Sequence, residues 1–290
     1  MKHLKIFETE TAFEENKATL ESPCVALTEE DTEIHIVYNN EPLSSDFVDL
    51  GLPGGLKWAS CNLGAENPYE YGDYYQWGAV KPNTEGTPYD WAHAPFNNGA
   101  SDFDSTYFNA HKDEWLANNV LKPEYDAAVA AGKGRIPTTD EYKTLYDNTY
   151  WQWVGSDTDV VVKVINDDGT ITSKTVKYPG GYFVYKVKND THKGKMNTAD
   201  ISALYDYNYH PAGESSPAKE ADVHIFFPAS GFASGTGVYD RGSGGYYWSS
   251  SLDTSISGYG HNLGFYSGSI SPQGNYSRYT GFCVRSVSEN

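Results

Sequence analysis

Two short apolar alternations near the C-terminus constrain the fold of this chain more than any other feature. Leu263 and Phe265 alternate with polar or small residues, and Phe282 and Val284 do the same. Successive side chains of a strand point to opposite faces, so each alternation predicts a strand with one buried and one displayed face. Residues 267–280 lie between them and are rich in turn-forming Gly, Asn, Ser and Pro. We expect an irregular, exposed surface there.

The stretch that holds these strands, residues 246–282, has the composition of a binding surface. Of its 37 residues, 23 are Tyr, Ser, Gly or Asn. Tyr offers a large amphipathic contact area at low entropic cost, and the small residues offer adaptable hydrogen bonds. A Tyr-rich coat over a core or a low-complexity linker has a similar composition. Because a linker would not show regular apolar alternation, we interpret the segment as a recognition surface.

The charge of the chain argues against anionic partners. Its formal net charge is −18 over 290 residues, whereas a surface that binds phosphate groups needs clustered Lys and Arg. We therefore expect neither nucleic acid nor an anionic membrane as a partner. No run approaches the roughly 18 apolar residues of a membrane span, and no apolar signal-peptide core follows the N-terminus.

Residue types that carry chemistry are present but poorly placed for it. The three cysteines are too scattered for a disulfide scaffold; Cys61 and Cys283 lie in apolar sequence and are expected as buried thiols, with their pairing left open. The eight histidines lack metal-binding spacing, and the many serines lack a G-x-S-x-G elbow. The acidic cluster at 166–168 could supply hard-cation ligands but is more simply a hairpin turn. We expect no catalytic residue, metal or cofactor.

The chain divides into a short acidic segment, residues 1–45, and a main domain, residues 46–290. The segment is too small to bury a core of its own, although its sequence indicates a short helix at 11–20 and a strand at 34–38. We predict that it attaches the protein to a partner or mediates oligomerisation. An ordinary N-terminal subdomain is the alternative.

Local signals indicate several elements of the main domain. A Pro-Gly-Gly turn at 53–55 predicts a hairpin. One helix is expected within 121–134, and a second follows a capping box formed by Thr138 and Glu141. The long stretch 81–111 is expected to be irregular and held down by its own aromatic residues. Strands are also predicted at 159–165, 178–187 and 225–227.

Six motifs in a fixed order carry a family resemblance, namely VDLGLPGGLKWASCNLGA, EYGDYYQWGAV, RIPTTDEYKTLYDN, FFPASGF, YYWSSS and GFCVRSV. Over residues 47–288 they resemble the bacterial major paralogous domain called FISUMP. RIPTTDEY with the closing GFCVR also resembles the formylglycine-generating-enzyme branch of the C-type lectin fold. The resemblance implies an α+β, C-type lectin-like fold with two helices, small antiparallel sheets and long irregular loops. It does not extend to residues 1–45.

The same scaffold is used by the variable proteins of diversity-generating retroelements, in which adenine-directed mutagenesis randomises C-terminal codons. Asn codons can then become Tyr, Ser, Asp, Gly, His or Thr, and residues 253–280 are drawn largely from that set. The resemblance thus implies a hypervariable binding protein with residues 246–251, Arg278 and Arg285 as framework. The ligand contacts that we predict lie opposite Leu263 and Phe265 or in the turns beyond, and they are Ser257, Tyr259, His261, Asn262, Gly264, Tyr266, Ser269, Gln273, Asn275, Tyr276 and Tyr279.

Together these features predict a non-enzymatic receptor-binding or adhesion protein that recognises a cell-surface protein or glycan of a host bacterium. We expect a bacteriophage tail or tail-fibre component, attached through residues 1–45, because no signal peptide is visible. A bacterial cell-surface or pilus-tip adhesin is the alternative. An enzyme of the formylglycine-generating type would need paired cysteines in the C-terminal region, where only Cys283 lies. Calcium-dependent sugar binding would need Glu-Pro-Asn-type motifs, which this region lacks.

Overall fold

The structure is a computed structural model that describes residues 3–7, 24–28, 35–37, 47–165, 171–187, 190–197 and 224–289. The chain divides into two compact units, which are residues 1–42 with 161–176 and residues 43–160 with 177–290. The helix predicted at 11–20 and the acidic cluster at 166–168 lie outside the described residues. Within the described residues, no helix has the length and apolar character needed to cross a membrane.

The first unit contains a three-stranded sheet. β1 (His3–Phe7) runs parallel to β2 (Cys24–Thr28), and β2 runs antiparallel to β3 (His35–Val37). The alternation predicted as a strand at 34–38 corresponds to β3. The sequence periodicity of this acidic segment is therefore expressed as strand structure.

The second unit begins with the predicted hairpin. β4 (Phe47–Val48) pairs antiparallel with β5 (Lys57–Ala59). In the turn between them, Gly54 and Gly55 have φ values of 85° and 76°. Glycine adopts this left-handed region without the clash that a Cβ atom would cause. The Pro-Gly-Gly turn is thus the local reason for the hairpin.

Three α-helices occur among the described residues, and they are α1 (Ser105–Trp115), α2 (Ala127–Ala130) and α3 (Thr139–Asn148). The capping box of α3 is confirmed, because the Glu141 backbone N–H donates to the Thr138 hydroxyl and the Thr138 backbone N–H donates to the Glu141 carboxylate. The helix predicted within 121–134 is reduced to the single turn α2. Gly132, with a φ of 66°, ends the helix near the predicted position. The start is late, because residues 123–125 form a separate 3₁₀ turn and the extended Asp126 caps α2, accepting hydrogen bonds from the backbone N–H groups of residues 128 and 129.

The expectation of irregular chain throughout 81–111 is wrong at its end, where α1 begins. Asp104 caps this helix by accepting a hydrogen bond from the Tyr107 backbone N–H at 2.9 Å. Upstream of α1, the loop is held by its aromatic residues, as predicted. Phe96 stacks on Trp115 with ring centroids 4.5 Å apart.

The remaining strands are β6 (Leu116–Ala117), β7 (Val120–Leu121), β8 (Thr149–Val154), β9 (Thr158–Ile165), β10 (Ile171–Tyr178), β11 (Gly181–Lys186), β12 (Lys195–Met196), β13 (His224–Pro228), β14 (Phe232–Ser234), β15 (Gly237–Tyr239), β16 (Gly244–Leu252), β17 (Tyr259–Tyr266), β18 (Ser269–Ser277) and β19 (Val287–Ser288). The two larger sheets have the orders β12-β8-β11-β13 and β18-β17-β16-β7-β6. Smaller sheets are β19-β5-β4, β10-β9 and β14-β15. The strands predicted at 159–165, 178–187 and 225–227 correspond to β9, β11 and β13.

The main core of the second unit lies where α3 packs against the two larger sheets. Leu263 and Phe265 are fully buried in it, as their alternation predicted. Trp151 and Phe227 stack in the same cluster with ring centroids 5.5 Å apart. A second cluster contains Trp77, Phe108, Trp115, Trp248 and Phe282. One face of the β16–β17 pair therefore contributes buried side chains to the first cluster, and the other face contributes buried side chains to the second cluster.

The chain end is closed by contacts rather than by the strand predicted at 282–284. Single bridges join Phe282 to Tyr75 and Cys283 to Tyr247, and the closing strand is β19. Arg285 is a buried framework residue, as predicted, but two of the three carbonyl groups that it binds lie in β5 and β13 rather than in loops. Its Nη1 donates to the carbonyls of residues 59 and 60, both at 3.0 Å, and its Nη2 donates to the carbonyl of residue 226 at 2.7 Å.

The α+β, C-type lectin-like fold class that the resemblance implied is wrong. About 38% of the residues lie in strands and about 15% in helices, so the chain is β-rich. One contribution comes from residues 267–280, where a turn-rich loop was expected and the nine-residue strand β18 is found. A register shift between the Asn262 and Gly264 pairs leaves Pro272 outside the ladder, so the missing N–H of proline breaks no pairing.

Candidate functional site

Five aromatic side chains form one contiguous group on the β16–β18 sheet and the adjoining β14–β15 hairpin. We call this group the tyrosine surface, and its members are Phe232, Tyr239, Tyr246, Tyr266 and Tyr276. The Phe232 ring centroid lies 5.5 Å from those of Tyr239 and Tyr246 and 6.0 Å from that of Tyr276. The Tyr246 centroid lies 6.1 Å from that of Tyr266. These distances are typical of interacting aromatic pairs.

Each tyrosine that β16, β17 and β18 contribute to the tyrosine surface lies opposite a glycine in the ladder. In the ladders, the paired residues are Tyr246 with Gly264, Tyr276 with Gly260, and Tyr266 with Gly244. A glycine leaves the space across the ladder open for the ring of its partner. A Cβ atom on Gly244 would lie 2.9 Å from the Tyr266 ring, too close for that ring to stay in place. At this pair, glycine is therefore a packing requirement.

The tyrosine surface is half buried and half available to a partner. Tyr239, Tyr266 and Tyr276 are 53%, 43% and 38% exposed. The Tyr266 hydroxyl donates to the Asp240 carboxylate at 3.0 Å and also contacts the Tyr246 hydroxyl. Burial and the Tyr266 hydrogen bond raise the pKa of Tyr246, and burial raises the pKa of Tyr276. Both phenols therefore stay neutral at physiological pH and keep a hydroxyl hydrogen to donate.

Four of the predicted contact residues lie at or beside the tyrosine surface. Tyr266 and Tyr276 belong to it, and Gly264 lies across the ladder from Tyr246. Ser269 is exposed and pairs with Tyr266. Asn262 lies across the ladder from buried Trp248 and is only 3% exposed, so in this structure it cannot contact a ligand.

The other predicted contacts lie elsewhere. By alternation along β17, Tyr259 and His261 share the face of buried Leu263, opposite to that of Tyr266. Both are half-buried. Gln273 donates to the Asp140 carboxylate at 3.1 Å, at the start of α3. The predicted set is therefore divided between two faces of one sheet.

The last three predicted contact residues lie near α1 and the loop before it. Ser257 is half-buried, and its carbonyl accepts a hydrogen bond from Arg278. The Asn275 amide donates to the Asp253 carboxylate. Tyr279 packs against Trp91 with ring centroids 5.2 Å apart, a contact that makes it part of the framework.

Sequence reasoning missed Phe232, Tyr239 and Asp240, which precede the segment singled out by composition. They belong to the β14–β15 hairpin, in which Phe232 pairs with Tyr239. A signal was present, since a Gly-Thr-Gly turn at 235–237 lies between two short β-prone runs. It pointed to a hairpin, but only the fold brings that hairpin beside β16.

The cysteines of the second unit are unreactive in this structure. Cys61 and Cys283 are free, buried thiols. Burial raises the pKa of both, that of Cys283 to about 12, which disfavours the nucleophilic thiolate. Among the described residues, no three His, Cys, Asp or Glu side chains are grouped so that they could hold a metal ion.

Comparison with known families gives one match. The sequence model of a family described as a domain of unknown function (DUF8237) matches residues 214–287. That range contains the whole tyrosine surface and the strands that carry it. No curated protein matches the chain, and no solved structure does.

Proposed function

We propose that the chain is a non-enzymatic binding protein that recognises a cell-surface protein or glycan of a host bacterium through the tyrosine surface. The observation that supports this proposal is the joint exposure of Tyr239, Tyr266 and Tyr276 in one aromatic group on a buried framework. Tyr is enriched among the residues that dominate binding energy. Rings already held in place lose little entropy when a partner covers them.

The exposed ring area sets the scale of the contact. Taking about 200 Å² for each ring, the three exposed fractions leave about 270 Å² for a partner to cover. At about 25 cal/mol per Å², that area is worth about 7 kcal/mol before the cost of association is subtracted. The ligand must therefore extend beyond the rings. Exposed Ser269 and Ser271 of β18 continue the same face, because they pair with Tyr266 and Gly264.

A binding role fits the chemistry of this region better than catalysis does. An enzyme of the formylglycine-generating type needs an accessible, activated thiol. The Cys283 thiol is fully buried, with its pKa raised to about 12 by burial. The tyrosine surface offers neutral hydroxyl groups and one carboxylate, Asp240, that already accepts a hydrogen bond.

We further propose that residues 253–280 are diversified by a retroelement, in a bacteriophage tail or tail-fibre protein, with a bacterial surface adhesin as the alternative. In support, β17 and β18 combine buried Leu263 and Phe265 with exposed small residues such as Ser269 and Ser271, which lie outside the core clusters. Sequencing the same locus from several isolates should show substitutions concentrated at the exposed positions of 253–280. Uniform variation over the domain would refute the diversification.

The binding proposal is tested by blocking the surface without removing any of it. The double substitution Ser269→Arg and Ser271→Arg adds bulk and charge beside Tyr266 and deletes no buried contact. Binding of the labelled full chain to host cells should fall at least about tenfold, while the midpoint of thermal unfolding should change little, as is usual for surface substitutions. Ser101→Arg, at an exposed loop position, is the matched control. Undiminished binding by the double variant would refute the proposal.

A further inference from the structure

A cavity of about 200 Å³ lies between α1 and the loop that follows β16. It shares no residue with the tyrosine surface. Its apolar lining residues are Phe108 and Leu252, and its polar lining, apart from Asp253, consists of Asn109, Lys112, Asn119, Thr254, Ser255 and Ser257. A cavity of roughly 150 Å³ is enough to hold benzene. This pocket therefore has room for one six-membered ring, with polar groups around it.

Arg278 lies directly behind one wall of this pocket. Its Nε donates to the Ser257 carbonyl at 3.0 Å, and its guanidinium carbon lies 4.1 Å from the centre of the Phe108 ring. Both of these residues line the pocket. Arg278 itself is 0% exposed. Its Nη1 and Nη2 atoms have no hydrogen-bond acceptor among the described residues.

The buried charge of Arg278 has no counter-ion in the described part of the chain. The rings of Trp77, Trp91 and Phe103 surround it at 5.2 to 5.7 Å, and cation–π attraction offsets part of the cost of burial. Aromatic rings do not replace acceptors for the four N–H groups of Nη1 and Nη2. Burial alone lowers the Arg278 pKa to about 9, with no acidic group opposing it. A carboxylate can accept two parallel hydrogen bonds from a guanidinium such as that of Arg278.

Two charged side chains line the pocket, Asp253 and Lys112, and only Lys112 carries a charge that attracts a carboxylate. Burial opposes ionisation of Asp253, but hydrogen bonds from Ser255 and Asn275 outweigh it and hold the Asp253 pKa below its usual value. This carboxylate is thus occupied by its own donors. The Lys112 ammonium lines the pocket without an ion-pair partner among the described residues. Lys112 in the lining and Arg278 behind the wall are thus two cations without ion-pair partners among the described residues, in a chain with a net charge of −18.

We propose that this pocket binds a polyhydroxy carboxylate, such as a uronic acid, with its carboxylate towards Lys112 and Arg278. The amide and hydroxyl side chains around the pocket would bind the sugar hydroxyls, which a bare anion does not have. Arg278 is fully buried behind Ser257, so this wall must shift for the carboxylate of the ligand to reach it. The site is independent of the tyrosine surface, and each can exist without the other.

Glucuronate and glucose are matched probes, because they differ only in a carboxylate in place of a hydroxymethyl group. Calorimetric titration of the full chain should give a Kd for glucuronate of about 1 mM, the scale expected for a ligand of this size. Glucose and inorganic phosphate should each bind at least about tenfold more weakly. Equal binding of glucose, equal binding of phosphate, or no saturable glucuronate binding at about 10 mM would overturn the proposal.

Two variants assign the binding to this pocket. Lys112→Gln should weaken glucuronate binding by about tenfold and leave thermal unfolding nearly unchanged, whereas Lys81→Gln, at an exposed loop position, should bind normally. Arg278→Gln should abolish binding if it folds, and the Lys112 variant decides the matter if it does not. Unaltered binding by Lys112→Gln would refute the assignment. The ligand could be the end of a glycan or a free monosaccharide, and the methyl glycoside of glucuronate distinguishes the two, because it blocks the anomeric hydroxyl and keeps the carboxylate. Retained binding indicates a glycan end, and lost binding indicates a free monosaccharide.

Discussion

The tyrosine surface is also part of the framework, so removing its rings should cost stability as well as binding. Tyr276 is 38% exposed, and the remaining three fifths of it is covered by neighbours that include Phe232, Tyr246 and Phe282. With about 200 Å² for a whole ring, the covered part is about 120 Å². Its loss at about 25 cal/mol per Å² amounts to about 3 kcal/mol. We therefore expect Tyr276→Ala to lower the free energy of unfolding by about 3 kcal/mol.

The same arithmetic orders the three exposed tyrosines. Tyr266→Ala should cost nearly as much as Tyr276→Ala, and Tyr239→Ala, at the most exposed position, should cost about 2 kcal/mol. Tyr276→Phe keeps the ring and should cost less than about 1 kcal/mol. Tyr266→Phe loses hydroxyl contacts with Asp240 and Tyr246 and should cost about 1 kcal/mol.

Urea denaturation of the full chain, followed by tryptophan fluorescence, measures these differences directly. Thermal unfolding is a second measurement, in which the midpoint of the Tyr276→Ala variant should fall by about 6–12 °C. An unchanged midpoint for this variant would refute the reasoning, because it would mean that the ring packs against nothing in the framework. The rings would then be free side chains and would not be preorganised for binding.

Three further predictions concern the framework. Leu263→Ala empties a fully buried core position and should lower the free energy of unfolding by about 3–5 kcal/mol in urea; a loss below about 1 kcal/mol would contradict the burial. Burial opposes ionisation of Glu141, but hydrogen bonds from Arg135 and Thr138 outweigh it and hold its pKa below 4.5. The resulting stability is present above pH 4.5 and is lost as the pH falls through the lower folded-state pKa. Glu141→Gln should therefore make the free energy of unfolding less pH-dependent in this acid range. Unchanged pH dependence would count against the Arg135–Glu141 ion pair. Iodoacetamide at pH 8 should leave Cys283 unlabelled in the native protein and label it in urea, because the thiol is buried and its pKa is raised to about 12; rapid labelling of the native protein would contradict this.

Local signals in the sequence were sufficient where a single segment decides its own structure. The Thr138–Glu141 capping box and the Gly54–Gly55 turn each act within a few residues, and both are found as predicted. The alternation of Leu263 and Phe265 correctly assigned the buried face of β17, because strand periodicity is a property of the backbone itself. The framework role of Arg285 was also foreseen.

Pairing between distant segments was beyond these signals. Residues 267–280 contain Pro272, Gly274 and Asn275, which locally favour turns, yet β17 supplies a ladder that makes them a strand. This strand is one of the elements that make the fold β-rich rather than α+β. A strand is stable only when a partner satisfies its hydrogen bonds, and a single segment cannot reveal which partner that is.

The sequence by itself determined that the C-terminal segment carries a recognition chemistry, since its Tyr, Ser, Gly and Asn content is visible without any structure. Only the tertiary structure decided which tyrosines act together. Tyr239 comes from a hairpin upstream, while buried Asn262 and the opposite-facing Tyr259 drop out of the surface. The physical reason is register: the pairing of each strand with its neighbour decides which side chains share a face, and composition carries no information about pairing.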